Sequence, residues 1–274
     1  MENFKHNINK LIYDEELKDQ LIKQITIKAS SLSFYTIMAF IIFSLLVASN
    51  SILETYYKQF EVFLLSNIFN INEEVIEKFI NLIYANNTSK ETISEWTGWT
   101  YIFIISILFF QNFETIMRNI YYTPKRTLQE KLMLYWTTIT LIPILLPYFT
   151  IYFAKHIQNS LDTSGIPINL LYFTPFLTLF FMFWLGYVIG ANKKLSFLSL
   201  FIPSLVTTSL TYLLKNIVSG YVNFNGTYPT INEILHISII LFIWIYLTWV
   251  IFISGAYLSE FLEEQFENAE NDEN

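Results

Sequence analysis

Ionisable or backbone-bending residues set inside apolar runs are where this chain could do chemistry, and they are few. Lys215 stands in TYLLKNIV, near the end of an otherwise uncharged apolar stretch. A charge inside a bilayer is costly and marks function by default, unless its stem lets the ammonium reach the interface. Both readings stay open here: an ammonium snorkelled to the membrane surface, or a cation facing a bundle interior, with Glu233, Asp162 or a lipid phosphate as partner. Glu114 and Arg118 stand four apart, so one helix face carries both. Two roles fit that spacing: a structural pair where a helix leaves the membrane, or a gate. Pro143 and Pro147, also four apart, each remove a backbone donor and crowd the preceding turn. They predict a kink, or a broken helix lining a substrate site. Tyr221 and Trp244 complete the candidate set, and packing or interfacial anchoring is the plainer role for both.

Catalytic constellations are missing from the sequence. His6, His156 and His236 are widely separated, with no H-x-H or H-E-x-x-H. No glycine-rich phosphate loop or nucleophile elbow is present. With no cysteine, disulfides and thiolate metal sites are excluded. The expectation is a non-enzyme with no catalytic residue, no cofactor and no metal. No long basic block points to nucleic acid.

The elements that must position the candidates are membrane helices. Of 274 residues, 53% are hydrophobic and only 14% charged, against about a quarter charged in soluble domains. The longest charge-free run, Ile237 to Tyr257, suffices to cross a bilayer core of roughly 30 Å at about 1.5 Å per residue. The hydropathy pattern predicts six spans, at about 31–53, 96–113, 132–154, 168–191, 195–218 and 234–258. Span 1 opens on the small polar residues Ser30, Ser31, Ser33 and Thr36, which allow close helix approach and bonds across an interface. Pro175 and Pro203 fall inside spans 4 and 5, and Gly186 and Gly190 give span 4 a GxxxG spacing for close packing.

Outside the spans, residues 2–28 alternate lysines with apolar positions and predict an amphipathic helix, either on the membrane surface or packed on the loops. Loop 54–95 carries a second short helix with Val75, Ile76, Phe79, Ile80 and Ile83 on one face. The tail 259–274 is acidic and polar enough to be disordered past about Phe266. Basic residues gather in the N-terminal segment, the 2–3 connection (Arg118, Lys125, Arg126, Lys131) and the 4–5 turn (Lys193, Lys194). The positive-inside rule therefore places both termini in the cytoplasm and the crossing at Ser219–Asn232 outside.

Three stretches resemble the YihY/BrkB family of bacterial inner-membrane proteins, once grouped as ribonuclease BN. They are SLSFYTIMAFIIFSLLV (Ser31–Val47), FETIMRNIYYTPKR (Phe113–Arg126), and Lys215 and Tyr221 followed by WIYLTWVIFISGAYL (Trp244–Leu258). The chain departs from the family pattern in four places. The family's span 1 proline would fall near Ile42, the Asn-Arg pair is reversed as Arg118-Asn119, Ile231-Asn232 stands for the Tyr-Gly that opens the family's last span, and Tyr257 replaces the glutamate of Gly-Ala-Glu. A metal-dependent ribonuclease needs clustered ligands, and the scattered histidines do not supply them. The resemblance implies an all-α, polytopic membrane protein with six transmembrane helices and surface amphipathic helices, in the bacterial inner membrane among membrane lipids. Two functions are carried forward: transport or flipping of a lipid or envelope-related amphiphile, and a non-transporting scaffold for envelope proteins. Oligomeric state is not legible.

Overall fold

The computed structural model describes residues 15–49, 95–140, 149–150, 152, 155–158, 173–225 and 231–273. They form α1 (Glu15–Ser49), α2 (Glu95–Tyr121), α3 (Leu128–Thr140), α4 (Thr174–Ala191), α5 (Phe197–Asn225) and α6 (Ile231–Glu273), and no strand is found among them. Four helical stretches are long and apolar enough to cross a membrane: Thr97–Tyr121, Thr174–Ala191, Phe197–Tyr221 and Ile239–Asn268. They match predicted spans 2, 4, 5 and 6. Spans 1 and 3 fall partly outside the described residues, as do Pro143, Pro147 and most of loop 54–95.

The chain divides into two compact units. One holds residues 1–113 and 211–253, the other 114–210 and 254–274. In the first, α1 is bound to the opening part of α2 and to α6 by polar bonds. Asn112 Nδ2 donates to Ser31 Oγ at 2.8 Å, and Trp249 Nε1 donates to Thr36 Oγ1 at 3.0 Å. The small polar residues at the start of span 1 thus act across a helix interface, as their type predicts. Aromatic packing reinforces it, with Phe109 at 5.7 Å from Trp249 and Phe113 at 6.0 Å from Phe252, centroid to centroid.

In the second unit, glycines set how closely the helices approach. At Gly190 on α4, a side chain would run into Met117 of α2. At Gly255 on α6 it would meet the Tyr187 hydroxyl of α4 and Thr207 Oγ1 of α5. Those two groups bond each other at 2.8 Å, and Tyr187 is fully buried. Phe180 and Trp184 of α4 also stack with Phe197 and Phe201 of α5.

Several sequence expectations are corrected. α1 is continuous from Glu15 to Ser49, so residues 15–28 prolong span 1 instead of forming a separate surface helix. No glycine or proline interrupts this stretch, and its hydroxyls bond back to their own helix: Thr26 to Ile22 O, Ser30 to Thr26 O and Thr36 to Leu32 O. Pro175 sits in the first turn of α4, where a missing N–H costs nothing, and not inside it. α6 runs unbroken to Glu273, so the acidic tail is helical where disorder was expected. Glutamate is a good helix former and no proline stops the helix. At 43 residues α6 is ~65 Å long, about twice the bilayer core. The crossing between the last two spans shrinks to residues 226–230.

Candidate functional site

Helix α5 is built inside-out. Its exposed side carries Leu205, Val206, Leu210, Leu213 and Ile217. Its buried side carries Ser204, Thr207, Thr208, Thr211, Lys215 and Ser219. Spacings of three and four residues put these polar groups on one face. A water-soluble helix would show the reverse. Apolar groups outward and hydroxyls inward is the arrangement that lipid as solvent selects.

Within this row the groups differ in how they are satisfied. Thr208 Oγ1 donates to the Ser204 carbonyl at 2.7 Å, and Thr207 is held by Tyr187. Thr211 Oγ1 is buried and makes no hydrogen bond among the described residues. One turn further on, Lys215 is only 4% exposed. Its ammonium lies 5.0 Å from the centroid of the Tyr212 ring on the same helix, a cation–π contact. Neither an ion pair nor a hydrogen bond to it is found among the described residues. The lysine therefore lies on the buried face of α5. The Glu233 and Asp162 side chains lie outside the described residues.

The second unit gathers polar groups near the C-terminal parts of α2 and α4, the start of α5 and the Glu260–Glu263 turn of α6. Glu114 is buried and pairs with Lys131 of α3 at 3.2 Å. The carboxylate meets a cation from beyond its own helix: the chain turns after α2, with Tyr122 at φ 52° in the left-handed region, and α3 brings Lys131 to it. Arg126 donates to Asn192 Oδ1 at 3.2 Å and to the Ile189 carbonyl. Asn192 is the left-handed C-cap of α4 (φ 52°). The guanidinium thus occupies carbonyl positions that a helix end leaves unsatisfied, and its charge suits the negative end of the dipole.

At the start of α5, Ser199 N donates to Ser196 Oγ at 3.3 Å, so Ser196 is the N-cap, and Glu263 of α6 accepts from Ser196 N at 2.8 Å. Lys193 donates to the buried Glu260 at 2.8 Å, and its ammonium is 5.9 Å from the centroid of the buried Tyr121 ring. Glu130 closes a capping box on α3, accepting from Thr127 N at 2.8 Å while Thr127 Oγ1 accepts from Glu130 N at 3.4 Å. The backbone bond from Thr127 holds the Glu130 carboxyl below its ordinary range.

Of the candidates read from the sequence, Glu114 and Arg118 belong to one unit and Lys215, Tyr221 and Trp244 to the other. Tyr221 is half-exposed near the end of α5 and Trp244 half-buried on α6. Sequence reasoning missed Thr211, Lys131, Arg126, Lys193 and Glu260 as partners. The hydroxyl spacing along α5 was visible and would have singled out Thr211. The ion pairs join residues 17 and 67 positions apart, and no local spacing announces them.

These features define a polytopic α-helical membrane protein whose helices turn polar groups inward and apolar groups to lipid. The profile of the family described as virulence factor BrkB matches residues 21–274, and the chain belongs to that family. It is 30% identical to a UPF0761 membrane protein of Idiomarina loihiensis over 206 residues, 73% of this chain and 71% of that one. A UPF0761 membrane protein of Chlorobium phaeobacteroides is 26% identical over 87% of this chain and 57% of its own length. One of Vibrio atlanticus is 30% identical over 67% of this chain and 59% of its own. The chain thus spans little more than half the length of several relatives it matches. No solved structure matches it.

Proposed function

We propose that this protein moves or flips a lipid or another envelope-related amphiphile across the bacterial inner membrane. The observation that carries this reading is the buried polar face of α5 and its lysine. Hydroxyls alone are a common glue between membrane helices. A cation on the same face is not, because an intramembrane ammonium is costly unless something polar meets it. A carrier for a polar headgroup needs such a face, since the headgroup must exchange water for protein donors while its tails remain in lipid.

The test is flipping in proteoliposomes. Purified protein is reconstituted with fluorescent phospholipids, and bleaching by an impermeant reductant reports the lipid reaching the outer leaflet. Faster exchange than in empty vesicles is expected. Rates equal to empty vesicles, for phosphatidylethanolamine and phosphatidylglycerol alike, would sink the reading.

A second reading, a scaffold for envelope proteins, draws on the helical extension of α6, which exposes Glu264, Glu267 and Phe266. Under that reading, removing residues 265–274 disrupts co-purification with envelope proteins and leaves lipid exchange unchanged.

A further inference from the structure

Hydroxyls on the described helices mostly have an identifiable partner, and the buried ones of α5 without a bond are Ser204 and Thr211. Thr36, Thr138, Thr178, Thr208 and Thr248 each donate to the carbonyl one turn back, and Thr207 bonds Tyr187. Thr211 does neither. Its hydroxyl is buried on α5 with no bond among the described residues. A buried polar group left in that state is unusual enough to need a reason. Four residues on, and so on the same face, stands Lys215, buried to 4% exposure, whose ammonium meets the Tyr212 ring and, among the described residues, no ion pair or hydrogen bond.

Both side chains therefore present donors: the hydroxyl has one to give, the ammonium three. At the same level of the helix, Leu213, Asn216 and Ile217 turn outward. Donors without acceptors, one of them cationic, are suited to an oxyanion. Lys215 also lies six residues before Tyr221, where the apolar stretch of α5 ends, ~9 Å along the axis. An anion at that depth is one that lipids themselves carry.

We infer that Thr211 and Lys215 form an anion subsite for a phosphate group, with Lys215 supplying the counter-charge and Thr211 Oγ1 a directed hydrogen bond. The inference rests on the transport reading and specifies its substrate class as a phosphate-bearing amphiphile. Lysine acts here as a point charge, so an arginine serves nearly as well and an apolar residue does not.

The test is binding to the purified full chain in a neutral detergent, followed by native mass spectrometry and by thermal unfolding. Three probes are used: phosphatidylglycerol, diacylglycerol with the same tails, and inorganic phosphate. Phosphatidylglycerol is expected to bind at one per chain and raise the melting temperature, whereas diacylglycerol does neither. Lys215→Met should weaken binding on the order of tenfold, Thr211→Val by a few-fold, and Lys215→Arg least. Lys215→Met also removes a buried charge, so the empty protein should melt at the same temperature or higher. That separates loss of the site from loss of the fold. Inorganic phosphate that competes with the lipid shows that the phosphate group itself is recognised. Inorganic phosphate without effect shows recognition of lipid-borne phosphate. Both outcomes support the site, provided Lys215→Met weakens binding as expected. Equal binding of diacylglycerol, or undiminished phosphatidylglycerol binding in a folded Lys215→Met variant, overturns it. The two proposals fail separately: binding without flipping removes the transport reading, and flipping unchanged in Lys215→Met removes the subsite.

Discussion

At the scale of single residues, the buried carboxylate of Glu260 depends on Lys193. Removing the lysine leaves a buried carboxylate without its cation. The penalty lies between the ~1 kcal/mol of an exposed pair and the ~3 kcal/mol of a buried one, because the Lys193 side chain keeps 32% of its surface. We expect Lys193→Met to lower the melting temperature in detergent, and Lys193→Met combined with Glu260→Leu to recover most of the loss. Additive losses in that double-mutant cycle would show that the pair does not couple. Glu130 makes a pH prediction. Its carboxyl is held below its unfolded value, so its contribution to the start of α3 is complete above the ordinary glutamate range. That contribution disappears as pH falls through the lowered folded value. Amide exchange at Thr127–Lys131 should therefore accelerate in acid relative to a Glu130→Gln reference, and equal exchange in the two proteins would contradict the cap. The i,i+4 spacing of Glu114 and Arg118 suggested a local pair, and it gave no sign of Lys131, which meets Glu114 in the fold. Spacing fixes which side chains can meet along a helix, but not which of several cations reaches a buried acid first.

Between elements, glycines decide how closely helices pack, and the two sites differ in what blocks a larger residue. A Cβ at Gly255 meets the Tyr187 hydroxyl, which a bond to Thr207 pins in full burial. A Cβ at Gly190 meets Met117 from its methyl back to Cγ; that side chain is buried but unbranched and held by no hydrogen bond of its own, so it has torsions left to adjust. Gly255→Ala should thus cost ~1–3 kcal/mol and Gly190→Ala less than ~1 kcal/mol, read from thermal unfolding of each variant. Reversal of that order would mean the contact at Gly255 relaxes more easily than its geometry allows. The Gly186/Gly190 spacing announced close packing in α4, and Gly190 provides it. Gly255 was read only as part of a family motif, because its neighbours come from two other helices.

For the whole molecule, orientation remains the expectation with most consequence, since it decides which leaflet each site serves. The natural chain has no cysteine, so single-cysteine labelling needs no background removed. With both termini cytoplasmic, an impermeant maleimide should label Gly226→Cys in intact cells and reach Glu270→Cys only after lysis. The opposite pattern would invert the topology. The amino-acid sequence by itself determined the class of protein, the all-helical architecture and the family. It could do so because a chain in lipid must satisfy every backbone amide internally, and about 20 consecutive apolar residues then leave little besides a helix. Only the tertiary structure decided which way each helix faces and which charges meet. The hydroxyls and Lys215 of α5 recur at helical spacing, but spacing does not tell inward from outward. Lipid tails and a protein interior are equally apolar, so hydrophobicity, which sorts inside from outside in water, loses that power in a membrane. Burial of Lys215 beside an unbonded Thr211, and of Glu260 beneath Lys193, follows from packing between segments far apart in the chain.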